Sequence, residues 1–235
     1  MGEHSRMAKA RTPSLGATGR MGARAGSPKP RVDKIARKAD YLRAAARVFL
    51  SSGSSASMQE VADAAGAPKP VFYRVFPSRA ELIDAFFQHV HDTIVETQKG
   101  KWDGYGWALR VLYLEAKKDP EIFLVVLKVF RGDPTWEPWR QKLLHLVNKQ
   151  AETVFRPAEG APPGGDKRAI AAARTVNAWV FEVLVSWLED DDGLTDEARF
   201  AWWGRIVREW RLATREAFEL NAPASSLPAR RTRST

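Results

Sequence analysis

Lys69, Tyr73 and Arg74 lie within six consecutive residues, and all three side chains can donate hydrogen bonds to an anion. The Arg74 guanidinium matches the two acceptors on the major-groove edge of guanine, whereas Lys69 can reach either a base or a phosphate. The Tyr73 hydroxyl is suited to a phosphate oxygen. This stretch therefore has the chemistry to bind DNA, provided that one element presents these donors together.

Two serine–glutamate pairs mark the helices that must position these donors. Ser57 precedes Glu60, and Ser78 precedes Glu81, by three residues. This is the spacing of a capping box, in which the serine hydroxyl accepts from a backbone N–H and the glutamate accepts from the serine N–H. Gly66 lies between the pairs and can adopt the positive φ that ends a helix in a sharp turn. Two helices joined at a tight glycine turn indicate a helix-turn-helix.

Apolar residues at helical spacing predict four helices around this turn. We expect them at 33–52 with Asp33 as the N-cap, at 57–64, at 68–75 and at 78–98. In the third helix Phe72 and Phe76 form the inward stripe. Lys69, Pro70 and Arg74 point away from this stripe. The start of this helix is therefore available to the major groove, which is wide enough to admit a helix.

A longer motif surrounds these residues. The letters SMQEVADAAG begin at Ser57, and the spacing Tyr-x-x-Phe-x-Ser-Arg-x-x-Leu runs from Tyr73 to Leu82. Residues 35–95 resemble the DNA-binding head of the tetracycline-repressor (TetR) family. The resemblance covers about a quarter of the chain and implies a DNA contact surface made of Ser57, Gln59, Lys69, Pro70, Val71, Tyr73, Arg74 and Arg79.

Three positions depart from the common pattern of that family. Pro68 stands where a serine or threonine usually caps the recognition helix, so this helix has no side-chain cap. Val71 stands where threonine is frequent, and its methyl groups suit a thymine methyl instead. Val75 stands where histidine often contacts a phosphate. We therefore expect weaker phosphate anchoring by the head itself.

The positive charge lies outside the head. The chain carries a net charge of +9, of which residues 1–38 contribute +8 and residues 221–235 contribute +3, while residues 39–220 carry −2. The ends have few large apolar side chains, so we expect residues 1–31 to be a disordered basic arm and residues 221–235 a disordered basic tail. The arm either adds phosphate contacts to DNA, only improves solubility, or is not translated in full, since Met7 and Met21 also offer start positions.

The remaining sequence predicts an all-α fold with two parts. Residues 32–80 form the three-helix helix-turn-helix head, and residues 81–220 form a C-terminal helical domain for ligand binding and dimerisation. All nine tryptophans lie in this second part. The last two helices, at 166–189 and 195–219, have wide apolar stripes. We expect a two-fold four-helix interface between two chains, made by Val180, Leu184, Trp187, Trp203, Val207 and Trp210.

By the same resemblance, the middle helices should form a ligand chamber. Such chambers are mostly apolar and contain a few placed polar groups. The predicted lining consists of Trp107, Tyr113, Phe123, Leu127, Phe130, Trp139, His145 and Asn177. For each of these residues, filling of the core is the competing interpretation. The supply of aromatic side chains favours a small hydrophobic or aromatic effector.

The sequence contains no constellation for catalysis. There is no cysteine, no P-loop, no nucleophile elbow and no glycine-rich dinucleotide turn. His89 and His91 are two residues apart on a helix and point in different directions, so they cannot share a metal. We predict no cofactor, no metal, no membrane segment and a cytoplasmic location.

We therefore predict a sequence-specific transcriptional regulator, a ligand-released repressor that binds a palindromic DNA operator as a homodimer. Two alternatives stay open at this point. One is an architectural DNA-binding protein of the nucleoid without an inducer. The other is a helical small-molecule-binding protein whose head no longer binds DNA.

Overall fold

The computed structural model describes residues 30–101, 103, 106–155, 167–189 and 193–220, and in these ranges every regular element is a helix. The fold is all-α. The helices are α1 (Pro30–Ser52), α2 (Met58–Ala64), α3 (Lys69–Val75), α4 (Arg79–Thr97), α5 (Trp107–Ala116), α6 (Pro120–Leu124), α7 (Glu137–Phe155), α8 (Lys167–Glu189) and α9 (Asp196–Leu220).

The first helix begins earlier than its predicted cap. It already includes Pro30, so Asp33 lies inside its first turn. Proline is favoured at the start of a helix because its φ is already helical and its missing N–H has no intrahelical partner there. The predicted arm, apart from Pro30 and Arg31, and the predicted tail at 221–235 lie outside the described residues.

Aromatic rings fill the core of the head. Phe72 and Phe76 of α3 are buried, with ring centroids 5.5 Å apart, and the Tyr41 ring of α1 lies 5.7 Å from Phe72. Phe49 of α1 is fully buried and makes an edge contact with Phe86 of α4 at 5.8 Å. Helix α1 therefore supports α3 from behind and leaves the other side of α3 uncovered.

Helix α4 joins the head to the rest of the chain. Its buried side chains continue from Leu82 to Ile94 along one face, which follows the helical spacing seen in the sequence. Near its middle, the Phe87 ring stacks on Trp136 at 6.0 Å and on Trp139 at 5.9 Å. One continuous apolar core consequently runs from α1 of the head to Val207 of α9.

The segment from Glu121 to Phe130 changes its hydrogen-bond pattern midway. Helix α6 ends at Leu124 and is followed by a π turn over Val125–Val129. The N–H of Phe130 donates to the carbonyl of Val125 at 3.2 Å, one residue further back than in an α-helix. Phe130, which follows the π turn, lies in the interior, where it is 3% exposed.

Gly106 allows α5 to approach α9. Its φ of +85° is accessible to glycine at little cost, and a Cβ atom at this position would lie 3.0 Å from the Trp203 ring and 3.1 Å from the Gly204 Cα. The N-terminus of α5 therefore rests directly on the backbone of α9.

Helix α8 is long and apolar enough to cross a membrane by length and composition alone. In the fold, however, it packs along α7 and against α5. It buries Ala173, Val176, Leu184 and Trp187 in the protein interior. We interpret α8 as the central helix of the C-terminal bundle.

Candidate nucleic-acid interface

The turn between α2 and α3 is closed by a complete Schellman motif. The Gly66 N–H donates to the Asp63 carbonyl at 3.0 Å, and the Ala67 N–H donates to the Ala62 carbonyl at 3.2 Å. Gly66 has a φ of +59°, in the left-handed region that glycine adopts without a Cβ penalty. The expected glycine turn is confirmed, and it sets the angle at which α3 leaves α2.

The two predicted capping boxes differ in the structure. At α2 the box is complete, because the Ser57 hydroxyl accepts from the Glu60 N–H at 3.2 Å and the Glu60 carboxylate accepts from the Ser57 N–H at 2.7 Å. The hydrogen bond from the Ser57 backbone N–H is the main cause that lowers the pKa of the Glu60 carboxyl. At α4 only half of the box forms: the Ser78 hydroxyl accepts from the Glu81 N–H at 3.2 Å. The Glu81 carboxylate instead accepts from the Ser78 hydroxyl, at 3.5 Å.

The exposed side of α3 carries the donors that the sequence singled out. Lys69, Pro70 and Arg74 are exposed, whereas Val71 and Tyr73 are half-buried. The Lys69 ammonium lies 5.8 Å from the centre of the Tyr73 ring, close enough for a cation–π contact. The Arg74 guanidinium is exposed at the C-terminal end of the helix. The N-terminus of α3 has no side-chain cap, as expected from Pro68.

Helix α2 presents a second polar edge. Gln59 is exposed, and its amide donates to the Asp63 carboxylate at 2.7 Å. To contact a base, Gln59 must give up this bond. Ser57 is also exposed, although its hydroxyl already serves as the helix cap. If Ser57 contacts DNA, its hydroxyl oxygen takes part in that contact while it also accepts from the Glu60 N–H.

Arg79 is half-buried, and its guanidinium is bonded within the head. It donates to the carbonyls of Ser54 and Ala56 and lies 5.0 Å from the centre of the Phe49 ring. The family resemblance placed this residue in the DNA contact surface. With two of its nitrogens bonded to carbonyls, the arginine is a structural link between α4, α1 and the start of α2.

A cavity of about 1130 Å³ opens between α7, α8 and the segment that joins the π turn to α7. Its apolar lining includes Phe87, Leu127, Phe130, Trp136 and Phe181. Charged side chains surround the opening: Arg131, Asp133, Glu137, Arg140, Glu152, Arg174 and Glu182. Two of these arginines are paired, since Arg140 donates twice to Glu137 at 2.6 Å and Arg131 forms an ion pair with Glu182.

Three of the eight predicted pocket residues line this cavity: Leu127, Phe130 and His145. The other five lie elsewhere, and their prediction as part of one chamber is corrected. Trp107, Tyr113 and Phe123 are buried in the core, and Asn177 lines a separate space of about 90 Å³. The fifth, Trp139, bonds to Asp84 of α4. Helical periodicity shows that these residues face inward but not which helix covers each of them.

The predicted interface residues need a similar correction. Four of the six are buried within a single chain: Leu184, Trp187, Trp203 and Val207, with exposures of 0%, 8%, 2% and 9%. Val180 and Trp210 are half-buried. Among the side chains of α8 and α9 that the structure describes, the large apolar ones left exposed are Trp179, Trp202 and Leu212, each more than 40% exposed. The sequence did not single these out, because both helices are apolar over more than one face.

The comparisons with known proteins agree with this geometry. The family described as "Bacterial regulatory proteins, tetR family" matches residues 42–86. The HTH-type transcriptional activator FasR of Mycolicibacterium smegmatis is 41% identical over 75 residues, which cover 32% of this chain and 33% of that protein. The similarity thus spans about a third of the length of that relative.

Two solved structures are similar to this chain over most of its length. NalD of Pseudomonas aeruginosa, the secondary repressor of the MexAB-OprM multidrug efflux pump, aligns with a TM-score of 0.53 and 20% identity over 76% of this chain and 97% of NalD. A TetR family transcriptional regulator from Chloroflexus aurantiacus aligns with a TM-score of 0.50 and 17% identity, over 80% and 91% of the two chains. At this level of identity they establish the architecture of a helix-turn-helix head on a helical domain.

Proposed function

We propose that this chain, which belongs to the TetR family of DNA-binding transcriptional regulators, is a repressor that binds a palindromic operator as a dimer and is released by a ligand. The observation that carries the proposal is the uncovered side of α3, where Lys69, Pro70 and Arg74 are exposed on a helix held by a glycine turn. Such a helix enters the major groove with its outward side chains toward the base edges.

The contacts divide into two classes by chemistry. We assign Arg74 to a guanine because its fork can bond two acceptors on one base. Lys69 and Tyr73 are assigned to phosphates, which a point charge and a hydroxyl satisfy without regard to sequence. Gln59 is a further base contact once its bond to Asp63 is released. Residues 39–89 carry five bases and five acids, so affinity depends on these placed contacts and on pairing two heads.

The large cavity supports ligand control. Its volume of about 1130 Å³ slightly exceeds the usual range for small-molecule sites. The apolar floor around Phe130 and Trp136 suits a hydrophobic or flat aromatic molecule, and the charged opening suits a polar group at its end. Phe87 of α4 belongs to the same wall. A ligand that displaces this wall therefore acts on the helix that carries the head.

The ligand must bind more tightly to the conformation that does not fit the operator. Only differential affinity for the two states shifts their balance, and each tenfold loss of DNA affinity requires about 1.4 kcal/mol of coupling. A rotation of α4 changes the distance between the two heads. Because the half-sites of a palindrome are about 34 Å or a multiple apart, a change in that distance weakens binding.

The exposed tryptophans support dimerisation through α8 and α9. Trp179, Trp202 and Leu212 leave apolar surface uncovered on α8 and α9. An isologous contact between two copies covers this surface on both chains. It also leaves the two heads free to reach successive major grooves.

We favour repression over activation on physical grounds. Occupancy of a promoter is sufficient to exclude polymerase, whereas activation requires an additional surface that recruits it. The relative FasR is named as an activator, so the sign must be measured. A reporter gene placed behind the selected operator should be silenced by the protein, and an increase in its expression would reverse the assignment.

Selection of duplexes from a random pool by the full-length protein tests the DNA-binding part of the proposal. We expect an enriched inverted repeat bound by two chains, with a tight complex that survives competitor DNA. Enrichment of no motif, together with weak binding to every duplex, would instead support an architectural role. Failure to bind any duplex would leave only the small-molecule interpretation.

A further inference from the structure

Arg79 connects three parts of the head that are distant in sequence. It is the first residue of α4, it bonds to the carbonyls of Ser54 and Ala56, and it covers the ring of Phe49 from α1. Ala56 is 2% exposed and Phe49 is fully buried, so the guanidinium closes over the interior. The planar fork of an arginine suits this task, because it bonds two carbonyls and stacks on a ring at once.

The two carbonyls belong to the segment that leads into α2. Gly53–Ser55 forms a short 3-10 turn, and the Ala56 N–H donates to the Gly53 carbonyl at 3.3 Å. Ser57, the capping residue of α2, follows directly. Among the described residues, no backbone N–H outside the helices donates to the Ser54 or Ala56 carbonyl. The Arg79 guanidinium therefore links the segment that enters α2 to α4 and α1.

The ring beneath the guanidinium also faces the cavity wall. The centroid of Phe49 lies 5.4 Å from that of Phe130, which lines the large cavity. The arginine therefore rests on a ring whose position depends on the π turn and on the cavity. Of its three contacts, Ala56 and Phe49 are buried, whereas Ser54 is exposed.

We propose that Arg79 is a positioning residue for DNA recognition, which orients α2 and α3 through the carbonyls of Ser54 and Ala56, and that it does not neutralise a phosphate. This proposal rests on DNA binding by the head. Loss of the guanidinium changes the presentation of Gln59 and α3. It leaves the number of protein–phosphate ion contacts unchanged.

Two full-length variants, Arg79→Lys and Arg79→Gln, separate positioning from phosphate binding. Lysine keeps the charge and can still reach a phosphate, but its single nitrogen cannot hold both carbonyls in one plane. The probe is a duplex of about 30 base pairs chosen from a random pool by the wild-type protein. Affinity is measured between about 50 and 200 mM salt. Each lost phosphate contact makes the negative slope of log K against log salt shallower by about 0.9.

We expect both variants to lose about tenfold or more in affinity at a slope equal to that of the wild-type protein. The proposal is overturned if Arg79→Lys binds the duplex as tightly as the wild-type protein. It is also overturned if the salt dependence of Arg79→Gln is shallower by about 0.9 in the slope of log K against log salt. Arg208→Lys changes an exposed arginine of α9 and is the matched control, for which no change is expected.

Hydrogen exchange of the free protein supplies a test that needs no DNA. If Arg79 holds the entry to α2, amides of residues 57–64 should exchange faster in both variants than in the wild-type protein, while amides of α8 should not change. Unchanged exchange at 57–64 also overturns the proposal. A wild-type protein that selects no duplex would contradict the proposed function, yet the exchange result would still decide whether the clamp exists.

Discussion

The indole N–H of Trp139 donates to the carboxylate of Asp84 at 2.7 Å and so ties α7 to the helix that leaves the head. The same indole stacks on Phe87 with an interplanar angle of 16°, and the Lys142 ammonium lies 4.4 Å from its centre. Trp139 is thus a link between α4 and the wall of the cavity. In the proposed ligand control, this pair is the contact that passes a motion of α7 to α4.

Trp139→Phe should destabilise the protein by about 1 to 2 kcal/mol, because the ring is largely kept while Asp84 loses a hydrogen bond to its charged group. Urea unfolding measures this free energy. A double-mutant cycle with Asp84→Ala isolates the bond from other effects of each substitution. We expect a coupling energy near 1 kcal/mol; additive effects of the two changes would show that the bond does not stabilise the fold.

Arg74→Ala and Lys69→Gln should weaken DNA binding in different ways. Removing a bidentate base contact costs about 1 to 3 kcal/mol and relaxes the preference at one base pair. Removing a phosphate contact weakens all sequences alike and lowers the salt slope by about 0.9. Fluorescence anisotropy with the selected duplex and with single-base variants measures both. If Lys69→Gln lost the preference at one base pair and Arg74→Ala kept it, Lys69 would be the base contact and Arg74 the phosphate contact.

Trp202→Glu should convert a dimer into monomers at micromolar concentration, because it places a charge on a side chain that is 47% exposed in the single chain and covered in the proposed interface. Sedimentation velocity gives the mass in solution. Leu114→Glu on α5, at a residue 40% exposed, is the matched control and should stay dimeric. A wild-type protein that sediments as a monomer would refute the interface.

His89 should make the protein less stable in weak acid. Burial lowers the pKa of this imidazole, although Asp119, 3.6 Å away, opposes the effect. Asp119 also accepts from the Arg43 guanidinium, whose charge lowers the pKa of His89 further, while Asp92 raises it. A depressed folded pKa means that the unfolded chain binds more protons between the folded pKa and about 6.5, so stability falls as pH drops through this window.

The measurement is the urea midpoint of the wild-type protein and of His89→Gln between about pH 7.5 and pH 5.5. The wild-type midpoint should decrease more steeply than that of the variant, which has no titrating group at this position. Parallel curves would show that His89 titrates alike in the folded and unfolded states. The pKa values of Glu60, Glu137 and Asp196 are also lowered in the fold. Because carboxylates titrate below this range, both proteins should share that loss at lower pH.

Local chemistry made much of the head predictable. Gly66 must turn the chain because no other residue reaches its φ so readily, and the Ser57–Glu60 spacing closes a cap within four residues. The inward stripe of α3 follows from the helical period, which also places Lys69 and Arg74 outside. These features depend on residues that are close in sequence, so the sequence alone predicts them, and the same residues carry the family resemblance.

Tertiary packing decided the rest, because it depends on which distant residue arrives beside a given side chain. Arg79 meets carbonyls more than twenty residues earlier in the chain, and Trp139 meets a carboxylate 55 residues away. The pattern of α8 and α9 showed that Leu184 and Trp203 are apolar, but the fold uses them inside one chain and leaves Trp179 and Trp202 at the surface. Periodicity identifies a buried face, whereas only the assembled helices determine whether a neighbouring helix, a cavity or a second chain covers it.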